Sequence, residues 1–229
     1  EKEAQAGIDI ANDGEQGRVG FQTYVPQRMS GFGGVSSRPY GKEFIEFAKF
    51  TERMQARIPK TSKVFDAPEA IGELSYRGEA ELQKEIDRSL RNASNPNAHA
   101  TERFMNAPSP GVIATTMMNA YYESDQAYLD AIVREMSKEY RAVVDAGFVL
   151  QIDAPDLAME RVLLYQDLTD AEFAEKVEQH VDALNAALEG IPRDRVRLHV
   201  CWGNWEGPHC YDVAMEVVLP PIYQAKGGA

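Results

Sequence analysis

An alternation of patterns constrains this chain more than any other feature. Short apolar runs of strand character are followed by polar loops, then by segments whose apolar residues recur every three to four positions. Gly7–Ala11, Glu69–Leu74, Gly111–Ala114, Phe148–Asp153 and Val196–Cys201 read as strands. Glu43–Arg57 and Glu79–Asn92 read as helices, with Pro59 ending the first, Pro96 breaking the chain after the second, and a short helical turn near Arg103. Ser124 is placed to cap a long helix to Ala146, with Tyr128, Leu129, Ile132, Met136, Tyr140 and Val143 on its apolar stripe and Gly147 as its stop. Thr169-Asp170-Ala171-Glu172 has the capping-box pattern and opens a helix that ends at Gly190. The stretch from Gly17 to Gly41 has no clear period, and a helix in the tail from Tyr211 is blunted by Pro220-Pro221.

Strands alternating with helices imply parallel strands joined by right-handed crossovers, hence an α/β fold. A doubly wound sheet and a (β/α)8 TIM barrel both satisfy the pattern. No Gly-x-Gly-x-x-Gly turn follows a strand, which weighs against a dinucleotide-binding sheet. Gly31-Phe32-Gly33-Gly34 lacks the Gly-Lys-Ser/Thr ending of a phosphate loop. Polar residues gather just after the strands: Asp13 and Glu15, Thr115, Asp153, His199 and Cys201. That edge is where a barrel keeps its chemistry.

Bulk properties narrow the partners. The net charge of -12, with no Lys/Arg cluster, opposes nucleic-acid binding through phosphates. No apolar run reaches the roughly 20 residues of a membrane span. The opening Glu1-Lys2-Glu3-Ala4 is not a signal peptide and lacks an initiator Met, so a processed or cut cytoplasmic protein is expected. Two cysteines, Cys201 and Cys210, exclude a disulfide framework.

His199-Val200-Cys201 is the sharpest chemical signal. Alternation along a strand puts His199 and Cys201 on one face, an imidazole and a thiol suited to tetrahedral zinc. The triplet taken alone is a weak signal and fits a buried His and Cys with no metal better. Asp153 ends an apolar strand, where a carboxylate is costly unless paired or solvated, and Gln151 shares its face. Asp153 can grip a substrate ammonium or cap the following loop. Glu15 follows an Asp-Gly pair that also fits a plain turn. Tyr121-Tyr122, Trp202 and Trp205 can line a pocket for a flat substrate or simply pack loops.

Four segments in order, Asp13-Gly14-Glu15, Pro108-Ser109-Pro110-Gly111, Gln151-Ile152-Asp153-Ala154-Pro155 and His199-Val200-Cys201-Trp202-Gly203-Asn204, resemble the catalytic barrel of the cobalamin-independent methionine synthases and their shorter bacterial relatives. The resemblance spans nearly the whole chain, residues 1–229, read as one partial catalytic domain carrying about strands 2 to 6. It implies a (β/α)8 barrel with zinc at its C-terminal mouth, His199 and Cys201 as two metal ligands, and Glu15, Asp153, Gln151 and Trp202 at the thiol substrate. The implied reaction is methyl transfer from a 5-methyltetrahydrofolate-type donor to homocysteine. The family's remaining zinc ligands lie beyond the matching strands, leaving Cys210 as a substitute ligand or an incidental loop cysteine. Such a fragment is expected to bind zinc weakly, to be inactive alone, and to self-associate through uncovered apolar surface. An epoxyalkane:coenzyme M transferase of the same family is the alternative, as is a metal-free barrel similar to uroporphyrinogen decarboxylase.

Overall fold

The computed structural model describes residues 6–57, 67–93, 100–204 and 206–228. Pro59, Pro96, Trp205 and the opening Glu1-Lys2-Glu3-Ala4 lie outside the described residues. Four strands form a parallel sheet in the order β1 (Ile10–Ala11), β4 (Glu102–Pro108), β5 (Val149–Asp153) and β6 (Val196–His199). Two others, β2 (Met29–Gly33) and β3 (Glu69–Tyr76), pair antiparallel as a separate two-stranded sheet. Glu69–Leu74 is therefore a strand, but it belongs to an excursion and not to the parallel array. Gly31–Gly33 lies in β2 of this antiparallel pair, where Gly31 packs so closely that an added Cβ would meet Glu73 O at 2.7 Å.

The helices are α1 (Val25–Arg28), α2 (Lys42–Glu46), α3 (Ala48–Arg57), α4 (Glu79–Ala93), α5 (Pro110–Thr116), α6 (Asp125–Asp145), α7 (Asp170–Ala187) and α8 (Met215–Ile222). Among the described residues no helix is long and apolar enough to cross a membrane. Ser124 caps α6 by accepting from the Ala127 amide, and Gly147 leaves the helix at φ +90°. The Thr169–Glu172 capping box opens α7 as its sequence pattern requires. α8 runs one residue past the Pro220-Pro221 pair and stops.

Two expectations are corrected between residues 100 and 116. The segment near Arg103 is strand β4, not a helical turn, and Gly111–Ala114 lies in helix α5, not in a strand. The apolar run Val112-Ile113-Ala114 has no alternation to distinguish strand from buried helix, so the local signals decide. Ser109 accepts a hydrogen bond from the Val112 amide and Pro110 follows it, a cap with proline in the first turn. Likewise β6 ends at His199, so Cys201 lies just beyond the strand.

The sheet has two unlike faces. Met105, Ala107, Leu150, Ile152 and Val196 turn to the helical side, where α6 and α7 bury Ile132, Met136, Tyr140, Phe173 and Val177 in one core. Each of the larger aliphatic and phenylalanine side chains contributes roughly 1.5–3 kcal/mol by leaving water. Tyr140 also donates to Pro108 O at 2.5 Å, fixing α6 to the end of β4. The register places Asn106 beside Gln151 and Gln151 beside Arg197, so the other face carries polar groups.

A buried ionic cluster joins the hairpin to the helices. Arg28 meets Glu85 of α4 at 2.7 Å and Glu139 of α6 at 2.9 Å, and Arg18 meets Glu85 at 3.0 Å. The hydroxyls of Tyr24 and Tyr76 each donate to Glu139 at 2.6 Å. Burial pushes the Glu85 carboxyl up, and hydrogen bonds and charge from Arg18 and then Arg28 overcome it, leaving it below its ordinary value.

The turn from β4 into α5 is packed against a second buried group. Asp156 accepts from Ser109 Oγ at 2.5 Å and pairs with His180 Nδ1 at 2.9 Å. Gly111 lies directly on that pair: an added Cβ would stand 2.0 Å from Asp156 Oδ2 and 2.5 Å from His180 Nδ1. Gly111→Ala should therefore destabilise the fold by roughly 1–3 kcal/mol or more, read as a lower urea midpoint by circular dichroism. An unchanged midpoint would show that the close approach is absent.

Candidate active site

A cleft of about 620 Å3 opens at the C-terminal ends of the parallel strands, and Asn12, Glu15, Asn106, Gln151, Arg197 and His199 are among its walls. Asp153 is the hub. Its Oδ1 accepts from Gln151 Nε2 at 2.7 Å and lies 2.8 Å from His199 Nδ1, while its Oδ2 accepts from Asn106 Nδ2 at 2.8 Å. Asn106 in turn accepts from Asn12 Nδ2 at 2.9 Å, which links β1 through β4 and β5 to β6. With a carboxylate at Nδ1, His199 carries its proton there and leaves Nε2 as a lone-pair donor, a setting common around metal-binding histidines. The His199 side chain is 52% exposed, so Nε2 is open to a ligand.

Arg197 lies one layer below His199 on the same strand face. Its guanidinium stacks 3.6 Å from the centre of the Phe104 ring, and its Nε donates to Gln151 Oε1 at 2.7 Å. Glu15 enters from the loop after β1 in a left-handed conformation, φ +56°, rare for a residue with a side chain. Its amide donates to Asp13 Oδ1 at 2.9 Å, which steadies the turn. Its Oε1 is buried without a partner. Burial raises the Glu15 carboxyl above its ordinary value; Arg18 lowers it, while Asp153, Asp13 and Glu85 add to the rise.

Glu15, Gln151, Asp153 and His199 are thus brought to one place. Cys201 is a half-buried free thiol two residues past His199. No group of three or more His, Cys, Asp or Glu side chains is gathered as a metal cage among the described residues, and Cys201 is not among the residues that line the cleft. Trp202 turns away to the core, donating its indole N–H to Val213 O at 2.9 Å. Cys210 is exposed, and its amide, with that of Tyr211, donates to the buried Glu43. Thr115 is buried within α5. Tyr122 stacks on Tyr128 with ring centres 5.6 Å apart and receives the Leu74 amide, buttressing β3. Asn12, Asn106 and Arg197 are the polar residues that sequence reading passed over. Alternation in Phe104-Met105-Asn106-Ala107 was the available signal for Asn106.

No family profile matches the chain. Among curated proteins it is 23% identical over 205 residues to a methionine synthase of Sulfolobus acidocaldarius, covering 88% of this chain and 48% of that one. It is 24% identical over 207 residues to a methionine synthase of Pyrococcus furiosus, with the same coverage. A shorter match, 30% identical over 104 residues, covers 44% of this chain and 24% of a 2-hydroxypropyl-CoM lyase of Xanthobacter autotrophicus. Among solved structures, the fold matches a B12-independent methionine synthase from Shewanella sp. W3-18-1, determined in complex with selenomethionine. That match has a TM-score of 0.59 and 21% identity, and it covers 88% of this chain and 48% of that one. The chain spans about half the length of the curated relatives it matches. Over most of its length, the chain is therefore similar in sequence to curated methionine synthases and shares the fold of part of a B12-independent methionine synthase.

Proposed function

We propose that the cleft is the thiol side of a zinc-dependent alkyl-transfer site within a (β/α)8 barrel, of which residues 1–229 form part. The reaction we infer is methyl transfer from a 5-methyltetrahydrofolate-type donor to homocysteine in the cytoplasm. The observation that carries this reading is the Asp153–His199 pair, which leaves imidazole Nε2 facing outward two residues before the free thiol of Cys201. The two side chains have the donor chemistry zinc prefers and would hold it together with further ligands. When bound, zinc lowers the pKa of a coordinated thiol and keeps it nucleophilic at neutral pH.

The other groups act on the substrate. Asp153, fixed by three hydrogen bonds, holds the His199 ring in one orientation. Glu15 stands at the cleft with its carboxyl partly desolvated and one oxygen without a protein partner, and it takes the substrate ammonium in this reading. The amino acid is thereby oriented with its sulfur toward His199 and Cys201. The thiol gives up its proton, its sulfur lone pair forms the new S–C bond as the donor's N–C bond breaks, and the electron pair left on the donor nitrogen takes up a proton.

A second reading, thiol transfer with a sulfonated thiol of the coenzyme M type, is favoured by Arg197. A guanidinium held at the cleft wall matches a sulfonate as it matches a carboxylate. Binding of homocysteine and of 2-mercaptoethanesulfonate to the zinc-loaded chain, measured side by side by calorimetry, separates the two.

Three outcomes are expected. Zinc content by plasma mass spectrometry should fall to background in Cys201→Ser, and equal zinc in the variant would remove Cys201 as a ligand. Asp153→Asn should weaken zinc binding by about 10–100-fold in a chelator competition, because His199 loses its orienting partner. Glu15→Gln should gain stability relative to the parent as pH rises. The folded carboxyl has a raised pKa, so its stabilising contribution is complete below the unfolded value near 4.5 and is lost above it, as pH climbs through the folded value. Urea midpoints at pH 4 and pH 7 test this, and a difference that does not grow with pH would refute it.

A further inference from the structure

Arg197 is the one Lys or Arg among the residues described at the cleft wall, and Phe104 and Gln151 stand beside it there. Both of its side-chain contacts are with neutral groups. The guanidinium carbon lies 3.6 Å from the centre of the Phe104 ring, and Nε donates to Gln151 Oε1 at 2.7 Å. Among the described residues Arg197 forms no ion pair, whereas Arg18, Arg28, Arg38 and Arg195 each meet a carboxylate. The positive charge of this wall therefore has no counter-charge of the protein's own.

The two outer nitrogens of Arg197 are both spare and reachable. Nη1 and Nη2 donate to no protein group among the described residues, and they keep accessible surface, unlike Arg38 Nε and Arg161 Nε, which are shut in. The register sets Arg197 beside Gln151 on the polar face of the sheet, while the opposite face packs on helices. What stays accessible on this side chain thus opens to the cleft. A ring against the guanidinium and an amide at Nε hold it, so Nη1 and Nη2 form a positioned fork, the shape that a carboxylate or sulfonate meets with two hydrogen bonds. Gln151 ties the fork to the rest of the site: its Nε2 donates to Asp153 Oδ1 at 2.7 Å, and Asp153 holds His199. Arg197 and His199, two positions apart on one strand face, are spaced by roughly 7 Å along the strand.

We propose that Arg197 is the acid-recognition group of the cleft, whose Nη1 and Nη2 take the carboxylate or sulfonate of the thiol substrate and so select thiols that carry an acid group. The acid end seats on Arg197 while the sulfur lies one layer above, toward His199. This rests on the reading of the cleft as a thiol site for the sulfur end alone; holding the acid needs neither zinc nor alkyl transfer. A neutral or cationic thiol leaves the guanidinium without a counter-charge and forgoes the two charge-assisted hydrogen bonds.

The test is calorimetric titration of the metal-free chain with 4-mercaptobutyrate, 2-mercaptoethanesulfonate and 3-aminopropane-1-thiol, the last of which has no acid group. The acids should bind the parent. Arg197→Gln and, separately, Arg197→Lys should weaken them by about tenfold or more with the circular dichroism spectrum retained, the lysine because a point charge replaces the stacked fork. The aminothiol should bind the parent no more tightly than either variant. Binding of one acid and not the other supports the subsite and names its acid. No binding of either acid to the parent up to about 10 mM would overturn the proposal. Acids held as tightly by both variants as by the parent would overturn it too, and so would an equal loss for the aminothiol, which marks an arginine that only supports the fold. Acid binding that depends on Arg197 in a chain that never takes up zinc would remove the alkyl-transfer reading and leave this one standing.

Discussion

Arg28 is the point on which the architecture turns. Its guanidinium is buried between carboxylates of two different helices, Glu85 and Glu139, and it lies over the Tyr24 ring at 4.6 Å from the centre. A charge so enclosed is tolerable only while every partner is in place, because removing one leaves an uncompensated ion in a poor solvent. The hairpin, α4 and α6 are thus held in one arrangement by a condition and not by apolar area alone. Arg18, bridging Glu85 and Asn106 O at 2.7 Å, carries that condition to β4, whose side chains reach the cleft.

The cleft inherits its order from this support. Asn106 joins Asn12 to Asp153, and Asp153 joins β4, β5 and β6 through three donors. Side chains on rigid strands, each locked by the next, hold His199 more firmly than a loop does. Glu15 contrasts with this order, standing in a turn with one oxygen unpaired. One carboxylate is tied to the protein's own imidazole, while the other keeps an oxygen with no protein partner.

Much of this was legible in the chain. Ser124, Gly147 and the Thr169–Glu172 box marked α6 and α7 because capping chemistry is local. Asp153, Gln151 and His199 were legible because they end apolar strands and share a face. The segment Glu102–Pro108 was not, since a half-polar strand carrying Asn106 is weak in hydropathy beside the apolar run of α5. Asp156, His180 and Ser109, far apart in sequence, give no linear pattern, and neither does the Arg28 cluster. Trp202 illustrates another limit: its type suits a pocket, but its direction, toward Val213 O, depends on a backbone that leaves the strand at His199.

Glu15 adopts a backbone conformation that costs a residue with a side chain about 1–3 kcal/mol. Glycine would relieve the strain, and the partly desolvated carboxylate would disappear with it. Selection for folding alone would move the position toward glycine or asparagine, while selection for a cation-binding cleft would hold it at glutamate. Position 15 is therefore a place where the two pressures can be told apart by the residues that survive each regime, without any assay of the reaction itself.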